Sequence, residues 1–348
     1  MADQTEPVGY KTLIALALSL LCLASCVSTP AGPFITTTTA SGALEQIPAE
    51  LLKPDGSGPF PAVVLMHDCS GRGPRSSGAP DRWAKELVQR GYVVIIPDSF
   101  TTRGYPAGVC TDPSPNRAEV SPFRRVRDAY AALDYVRTLS DVDGSRVGLI
   151  GGSHGGTTTL ASMVAPESNK ELLAREKRGG FAAAVALYPG CAIRLGRWHA
   201  DLSGVYQPLA PLLILIGEND DWTPAEPCQK LADAAQKAGY PVTIKIYPGA
   251  HHGFDSTNPV RYVPTRVNAN SPTGRGATTG GNPEAWAEQH STDHEFLWPT
   301  SEKNAKLNII GFRMRHRGDG AGESRACYVS FWERYRSWML PIESSFLH

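Results

Sequence analysis

The sequence lacks an excess of charge of either sign. Its 348 residues contain 34 Lys and Arg side chains against 34 Asp and Glu side chains, so the formal net charge is zero. Nucleic-acid-binding domains carry basic patches, and a polyanionic substrate also favours a positively charged protein. The balance therefore argues against both kinds of partner. Apolar residues make up 41% of the chain, which suits a folded core and does not suit disorder.

Metal-ligand spacings are absent as well. The seven cysteines stand at positions 22, 26, 69, 110, 191, 228 and 327. None of them belongs to a CxxC pair or to the Cys/His spacing of a zinc site, so we expect no metal.

The apolar run near the start of the chain, residues 12–25, is too short to span a bilayer comfortably. It stands where a secretory signal has its hydrophobic region. The run leads into LASC, which resembles the lipobox of bacterial lipoprotein signals. The resemblance implies that residues 1–25 are a cleaved signal peptide, that Cys26 is lipidated, and that Val27 directs the protein to the outer membrane.

The first residues leave alternatives open. Lys11 is the one basic side chain before the apolar run and is accompanied by Asp3 and Glu6, whereas a signal normally begins with a basic segment. An ordinary cleaved signal of a periplasmic or secreted protein, a short uncleaved anchor, and a misplaced start codon on a cytosolic protein are the other interpretations. In the favoured interpretation, the N-terminal lipid is the only membrane contact. Residues 26–43, rich in Ser, Thr, Pro and Gly, are then a tether.

From residue 44 onward, strand-like and helix-like segments alternate. The strand-like runs are Ala62–Met66, Tyr92–Pro97, Arg146–Ile150, Phe181–Tyr188, Pro211–Ile216 and Val242–Tyr247. The helix-like runs are Asp81–Arg90, Pro122–Leu139, Gly155–Val164 and Pro224–Ala238. Short apolar strands separated by helices predict an α/β fold, with a mostly parallel sheet covered on both faces. We expect 44–348 to form one such domain, in which Pro48 limits Leu44–Lys53 to an edge strand.

A glycine-rich turn follows the third of these strands and begins the next helix. It reads Gly151-Gly152-Ser153-His154-Gly155, a G-x-S-x-G pattern between a strand and a helix. Such a turn raises the serine above the sheet edge and directs the free N–H groups of the helix toward it. The N–H of His154 is therefore a candidate oxyanion donor. The alternative is a turn that merely connects two elements.

A serine hydroxyl becomes a good nucleophile only when a base accepts its proton and an acid orients that base. Two later strands end in polar clusters, GENDDWTP at 217–224 and PGAHHGFD at 248–255. Carboxyl ends of parallel strands share one edge of the sheet, so both clusters are predicted beside Ser153. The order Ser, Asp, His is that of an α/β-hydrolase.

Together the motifs GGSHGG, GENDDWTP and YPGAHHGF resemble those of the dienelactone hydrolase family of α/β-hydrolases, over about residues 44–257. The resemblance implies the α/β-hydrolase fold, with Ser153 as nucleophile, Asp220 as orienting acid and His252 as base. His252 is favoured over His251 because it stands directly before Gly-Phe. Asp221 is expected to face solvent or to cap the following helix.

The resemblance also suggests residues around the pocket. The loop at 67–71 would provide a second oxyanion N–H, which falls on Cys69. Asp68 could polarise the substrate or cap this loop. Arg103 could face the pocket and bind a carboxylate, or brace its own loop, and Trp222 is a further candidate pocket residue.

The strand order of the family places the loops of four cysteines in neighbouring pairs. It implies the disulfides Cys69–Cys110 and Cys191–Cys228, with Cys327 as the odd thiol. Residues 255–282 are predicted to be a long loop along the pocket, and 326–340 a helix that covers the sheet rather than contacting a partner or a membrane. The segment 294–325 matches no pattern.

The function implied is that of a serine hydrolase acting on a small carboxylic ester or lactone through an acyl-enzyme, without metal or organic cofactor. The founding members of the family carry a cysteine at the turn, and the serine of this chain favours general esters over dienelactone. A serine peptidase or acyl transferase on the same fold, and a non-catalytic envelope binding lipoprotein, are the alternatives.

Overall fold

The computed structural model describes residues 32–164 and 179–288. The predicted signal peptide 1–25, Cys26 and the first part of the tether lie outside the described residues. So do segment 294–325 and the predicted helix 326–340 with Cys327. Within the described ranges, no helix combines the length and the apolar character needed to cross a membrane.

The described residues form ten strands and four complete α-helices, and residues 283–288 are also helical. The strands are β1 (Phe34–Thr38), β2 (Leu44–Leu52), β3 (Phe60–Met66), β4 (Val93–Pro97), β5 (Val142–Gly152), β6 (Ala184–Leu187), β7 (Leu212–Gly217), β8 (Val242–Tyr247), β9 (Arg261–Val267) and β10 (Arg275–Thr279). The helices are α1 (Ala79–Gln89), α2 (Val126–Val136), α3 (His154–Ser162) and α4 (Ala225–Lys237). Short 3-10 turns lie at Thr101–Arg103 and Pro115–Val120.

Eight strands form one sheet in the order β1-β2-β4-β3-β5-β6-β7-β8. The two pairings that involve β2 are antiparallel, and the remaining ladders are parallel. Every residue of β4, β6 and β7 is buried, as expected for strands covered on both faces. The predicted α/β fold is confirmed.

The N-terminal boundary differs from the prediction. Residues 34–38 belong to β1 and pair antiparallel with β2, so the tether cannot extend to residue 43. The edge-strand prediction for the segment around Pro48 is also wrong, because β2 lies between β1 and β4. Pro48 is tolerated since it stands at the end of the ladder with β4, where its carbonyl accepts a hydrogen bond from the Asp98 N–H at 2.8 Å.

The segment 255–282 is not an irregular loop throughout. It contains a two-stranded antiparallel hairpin, β9 and β10, which is separate from the main sheet. Both strands of an isolated hairpin are edges, so Pro264 fits within β9, at a point where the register shifts. The turn is closed by Asn268, whose N–H donates to the Gly274 carbonyl at 2.9 Å and whose amide donates to the Gly276 carbonyl at 2.8 Å.

Two disulfides connect loops that follow neighbouring strands. Cys69 is bonded to Cys110, and Cys191 is bonded to Cys228. These are the two pairings that the family resemblance implies.

Candidate active site

The turn after β5 holds Ser153 in a strained conformation. Its φ of 54° and ψ of −114° are rare for a residue with a side chain, and such strain is typical of functional sites. The turn can be this tight because Gly155 has no side chain. A Cβ there would lie 2.1 Å from the carbonyl oxygen of Met66, at the end of β3. The close approach brings the start of α3 against the loop that follows β3.

Ser153 lies at one end of a hydrogen-bonded series. Its Oγ is 2.8 Å from Nε2 of His252, and Nδ1 of the same ring is 2.8 Å from Oδ2 of Asp220. All three residues are buried. Asp220 accepts a hydrogen bond from the Nδ1–H of His252, which leaves Nε2 free to accept the proton of the serine hydroxyl. The structure thus brings together the three residues that the sequence motifs indicate.

The Asp220 carboxylate is fixed by its own loop. The N–H groups of Trp222 and Thr223 donate to Oδ1 at 3.0 and 2.8 Å. The Thr223 hydroxyl donates to Oδ2 at 3.0 Å and also lies 3.0 Å from Nδ1 of His252. These donors hold both carboxylate oxygens, so the orientation of the imidazole is set by several contacts.

The adjacent candidates have other partners. Asp221 is exposed and accepts hydrogen bonds from the N–H and the hydroxyl of Thr278, both at 2.8 Å. It faces solvent as predicted, but it attaches the β9–β10 hairpin instead of capping α4. His251 directs Nδ1 to the Asn219 carbonyl oxygen at 3.0 Å. Neither residue contacts Ser153.

Two segments with candidate oxyanion donors meet beside Ser153. His154 is the first residue of α3, where the helix has no internal acceptor for its N–H groups. Cys69 lies in the loop after β3, and its carbonyl accepts the Val109 N–H at 2.7 Å. Neither the His154 N–H nor the Cys69 N–H donates to another residue within the described ranges. Both N–H groups therefore remain candidates for binding an oxyanion.

Known proteins resemble this chain in both sequence and fold. The model of the dienelactone hydrolase family matches residues 47–272, which is more than half of the chain. The chain belongs to the dienelactone hydrolase family. A Synechocystis sp. protein provisionally assigned as a carboxymethylenebutenolidase is 26% identical over 223 residues, covering 60% of this chain and 81% of that protein.

Solved structures show the same fold as this family member. One is a provisionally assigned dienelactone hydrolase of Klebsiella pneumoniae, with a TM-score of 0.54 and 19% identity, covering 76% of this chain and 99% of that one. Another is esterase 2 of Thermogutta terrifontis, with a TM-score of 0.51 and 21% identity, covering 77% and 94% of the two chains. The family places the chain among the carboxylic-ester hydrolases.

In this member of the dienelactone hydrolase family, Asp68 holds the loop after β3. Its Oδ1 accepts hydrogen bonds from the N–H and the hydroxyl of Ser70, and its Oδ2 accepts one from the hydroxyl of Ser77. This is the loop-capping alternative for Asp68. Asp68, Cys69 and Cys110 are also close enough to suggest a metal site, but both sulfurs are consumed by the disulfide.

The pocket role predicted for Arg103 is wrong. Its guanidinium is bonded to the carboxylates of Glu45 and Asp128 and to the carbonyl of Ser99. Hydrogen bonds to the two carboxylates raise the pKa of Arg103 despite its burial. The side chain is 5% exposed, so its charge serves a buried ion-pair network between β2 and α2 instead of a substrate.

Trp222 lies beside the base, and its role as a pocket residue stays a prediction. Its ring centroid is 4.7 Å from that of His252, and its Nε1 donates to the Val267 carbonyl at 2.8 Å. The Arg266 guanidinium lies over the Trp222 ring, 5.3 Å from its centroid. The β9–β10 hairpin is bonded to His252 as well, through the Gly280 N–H at 3.1 Å. This bond ends on the His252 carbonyl, so the chain just after β10 lies against the backbone of the base.

Sequence reasoning missed two residues behind the base. Tyr188 follows β6 with a φ of 37°, and its ring meets that of His252 edge-on at 4.8 Å. The Tyr188 hydroxyl donates to Asp255 at 2.9 Å, and the indole of Trp83 donates to the same carboxylate at 2.9 Å. Burial raises the pKa of both Tyr188 and Asp255. Their positions after strand ends were the available signal.

Proposed function

We propose that this chain hydrolyses small carboxylic esters or lactones through an acyl-enzyme on Ser153. The observation that carries the proposal is the continuous series of 2.8 Å contacts from Asp220 through His252 to the Oγ atom of Ser153. The strained turn supports it, because a positive φ at a serine has a cost that a simple connection would not require.

In the acylation step, the Oγ atom of Ser153 forms a bond to the carbonyl carbon of the ester while His252 accepts the hydroxyl proton at Nε2. The carbonyl π electrons move to the oxygen, which becomes the oxyanion. When the tetrahedral intermediate collapses, the bond to the leaving alkoxide breaks and His252 donates its proton to that oxygen. Asp220 keeps the imidazole oriented and stabilises its charged form throughout.

In the deacylation step, water takes the place of the alcohol. The water oxygen attacks the acyl carbon while His252 accepts a proton from the water. His252 returns that proton to the Oγ atom of Ser153 when the acid leaves. The N–H groups of His154 and Cys69 are proposed to stabilise the oxyanion in both steps. For a lactone, the leaving oxygen becomes a hydroxyl group on the acyl chain itself, and water releases that chain from Ser153 as a hydroxy acid.

General esters are proposed in preference to dienelactone. The nucleophile is a serine supported by a fully assembled base and acid, which suits esters without special activation. The similar T. terrifontis protein is named an esterase, and one of its solved structures shows it phosphorylated by paraoxon. A serine nucleophile in this chain should likewise be phosphorylated by paraoxon.

Hydrolysis of p-nitrophenyl acetate tests the proposal with matched histidine variants. We expect Ser153→Ala and His252→Gln each to lower kcat by at least about 1000-fold. His251→Gln is the control, because that ring bonds to the Asn219 carbonyl and does not contact Ser153. Wild-type activity in Ser153→Ala would contradict the nucleophile, and equal losses in both histidine variants would contradict the choice of base.

Paraoxon gives a second test that does not depend on the substrate. One diethylphosphoryl group should be found on the peptide containing Ser153 by mass spectrometry, and the Ser153→Ala variant should take up none. Stoichiometric labelling of the alanine variant would assign the reactive group to another residue.

A further inference from the structure

The side chain of Arg125 connects the two segments that carry the candidate oxyanion donors. It stands at the start of α2 and is completely buried. Its Nη1 lies 2.8 Å from Nδ1 of His154, and its Nη2 donates to the carbonyl of His67 at 2.8 Å. His154 begins α3, and His67 stands two residues before Cys69. One guanidinium therefore joins the turn of the nucleophile to the loop after β3.

The protonation states in this cluster are set by the arginine. A guanidinium has no acceptor, so Nδ1 of His154 must be unprotonated and the ring neutral. Burial lowers the pKa of His154, and the charge of Arg125 lowers it further. The Phe100 ring meets His67 and His154 edge-on, at 4.6 and 5.5 Å, and lies 5.0 Å from the guanidinium. Phe100 therefore packs against both imidazoles and against the guanidinium.

Arg125 lacks a carboxylate within ion-pair distance among the described residues. Burial lowers its pKa to about 9, and the largest opposing charge is that of Asp128. Asp128 is itself bonded to Arg103 and to the Thr37 hydroxyl, so its charge is already shared. A buried cation without a close counter-ion is destabilising. The cost of burying the Arg125 charge is explained if that charge acts on a group that becomes negative during the reaction.

The ester reaction creates such a group beside His154 and Cys69. Fixed donors and charges directed at a developing oxyanion contribute more than the same groups in water, because they need not reorganise. The planar guanidinium suits this task, since its N–H groups have fixed directions and can hold two acceptors at once.

We propose that Arg125 is a positioning residue for the oxyanion hole, which keeps the N–H groups of His154 and Cys69 directed at one point and adds positive potential there. This inference rests on the proposed function, because it assumes that an oxyanion forms next to Ser153. It assigns to Arg125 no contact with the substrate.

The adjacent Arg124 provides a matched control. Its side chain is nearly as buried, at 5% exposed, but it pairs with Glu45 at 2.8 Å and has no hydrogen bond to the candidate oxyanion segments within the described residues. We compare Arg125→Met, Arg125→Lys and Arg124→Met with the wild type, using p-nitrophenyl acetate and measuring kcat and KM separately. Circular dichroism and urea unfolding establish the folded fraction of each protein.

We expect Arg125→Met to lower kcat by about 100-fold, the scale of losing one oxyanion donor, with KM close to the wild-type value. Arg125→Lys should lose about tenfold, because it keeps the charge but cannot hold both acceptors. Arg124→Met should lose stability while its folded fraction keeps the wild-type kcat. A kcat near wild type in folded Arg125→Met, or equal kcat losses in the Arg124 and Arg125 variants, would overturn the proposal.

Inhibition by 2,2,2-trifluoroacetophenone provides a second measurement, and it remains available if Arg125→Met does not fold. The activated ketone forms a tetrahedral adduct with a nucleophilic serine, whereas acetophenone measures binding without the adduct. We expect Arg125→Lys to weaken inhibition by the fluorinated ketone about tenfold and to leave inhibition by acetophenone unchanged. Equal effects on the two ketones would overturn the role in the oxyanion hole.

The two proposals fail in different ways. If Ser153→Ala hydrolyses the ester like the wild type, the proposed function fails and Arg125 loses its assigned role with it. If Ser153→Ala is inactive and Arg125→Met is folded and fully active, the triad stands and the inference about Arg125 alone is wrong.

Discussion

The Oδ2 atom of Asp220 lies 2.8 Å from Nδ1 of His252, whereas the next carboxylate in the chain, Asp221, is bonded to Thr278. Two neighbouring aspartates thus have separate tasks. Asp220→Asn would present an amide to Nδ1 and favour the wrong tautomer, so we expect kcat to fall by about 10³- to 10⁴-fold. Asp221→Asn should keep a kcat near wild type. Ester hydrolysis by the two purified variants measures both, and a larger loss in Asp221→Asn would reverse the assignment.

The two disulfides should differ in their effect on activity. They close 41 and 37 residues of chain, so removing either one should lower the free energy of unfolding by about 4 kcal/mol in the chain-entropy account. Only the Cys69–Cys110 bond holds a candidate oxyanion loop. The double variant Cys69→Ser/Cys110→Ser should therefore also lose kcat, and Cys191→Ser/Cys228→Ser should retain it.

Urea unfolding and initial rates on the same preparations separate the two effects. Rates are compared at a urea concentration and temperature at which both double variants are folded. Equal kcat values in the two would show that the loop after β3 is held sufficiently by its other contacts, such as the hydrogen bond from the Val109 N–H to the Cys69 carbonyl.

The meeting of Ser153, Asp220 and His252 was predictable because each residue lies shortly after a strand, and strand ends of a parallel sheet converge on one edge. Arg125 was not predictable in the same way. It is one of three arginines in the FRRVR stretch at 123–127, and its partners lie 58 and 29 residues away. Nothing in the local pattern distinguishes Arg125 from Arg124, although their partners are different. The distinction comes only from the way α2 packs on the sheet.

The errors of prediction have related causes. The strand signal at Phe34–Thr38 is only five residues long and stands among small polar residues, so composition favoured a tether. The hairpin was missed because Pro264 interrupts a run that otherwise has strand character. A pocket role for Arg103 was considered beside the bracing of its loop because Arg103 follows a strand end. Its carboxylate partners, Glu45 and Asp128, lie 58 and 25 residues away in the sequence.

The N-terminal lipid attachment is a prediction from the sequence alone. If Cys26 is lipidated, expression in a bacterial host with radiolabelled palmitate should label the wild type and leave Cys26→Ala unlabelled. The chain should then partition with membranes, and the variant should be released. Cys22→Ala is the matched control, because that cysteine lies within the predicted signal peptide and should not affect labelling. Equal labelling of wild type and Cys26→Ala would contradict the assignment.

Two imidazoles, the buried His67 and the partly buried His154, should make the fold sensitive to mild acid. Burial, followed by the nearby charge of Arg125, lowers the pKa of both His67 and His154 well below the unfolded value of about 6.5. As the pH falls below that value, the unfolded chain binds protons that the folded chain does not, so the free energy of unfolding decreases. Between pH 7.5 and 5.5 each ring should account for on the order of 1 kcal/mol of this decrease. Urea unfolding measures it, and His154→Gln should show a decrease smaller by that amount, whereas an unchanged pH dependence would show that His154 is protonated in the folded protein.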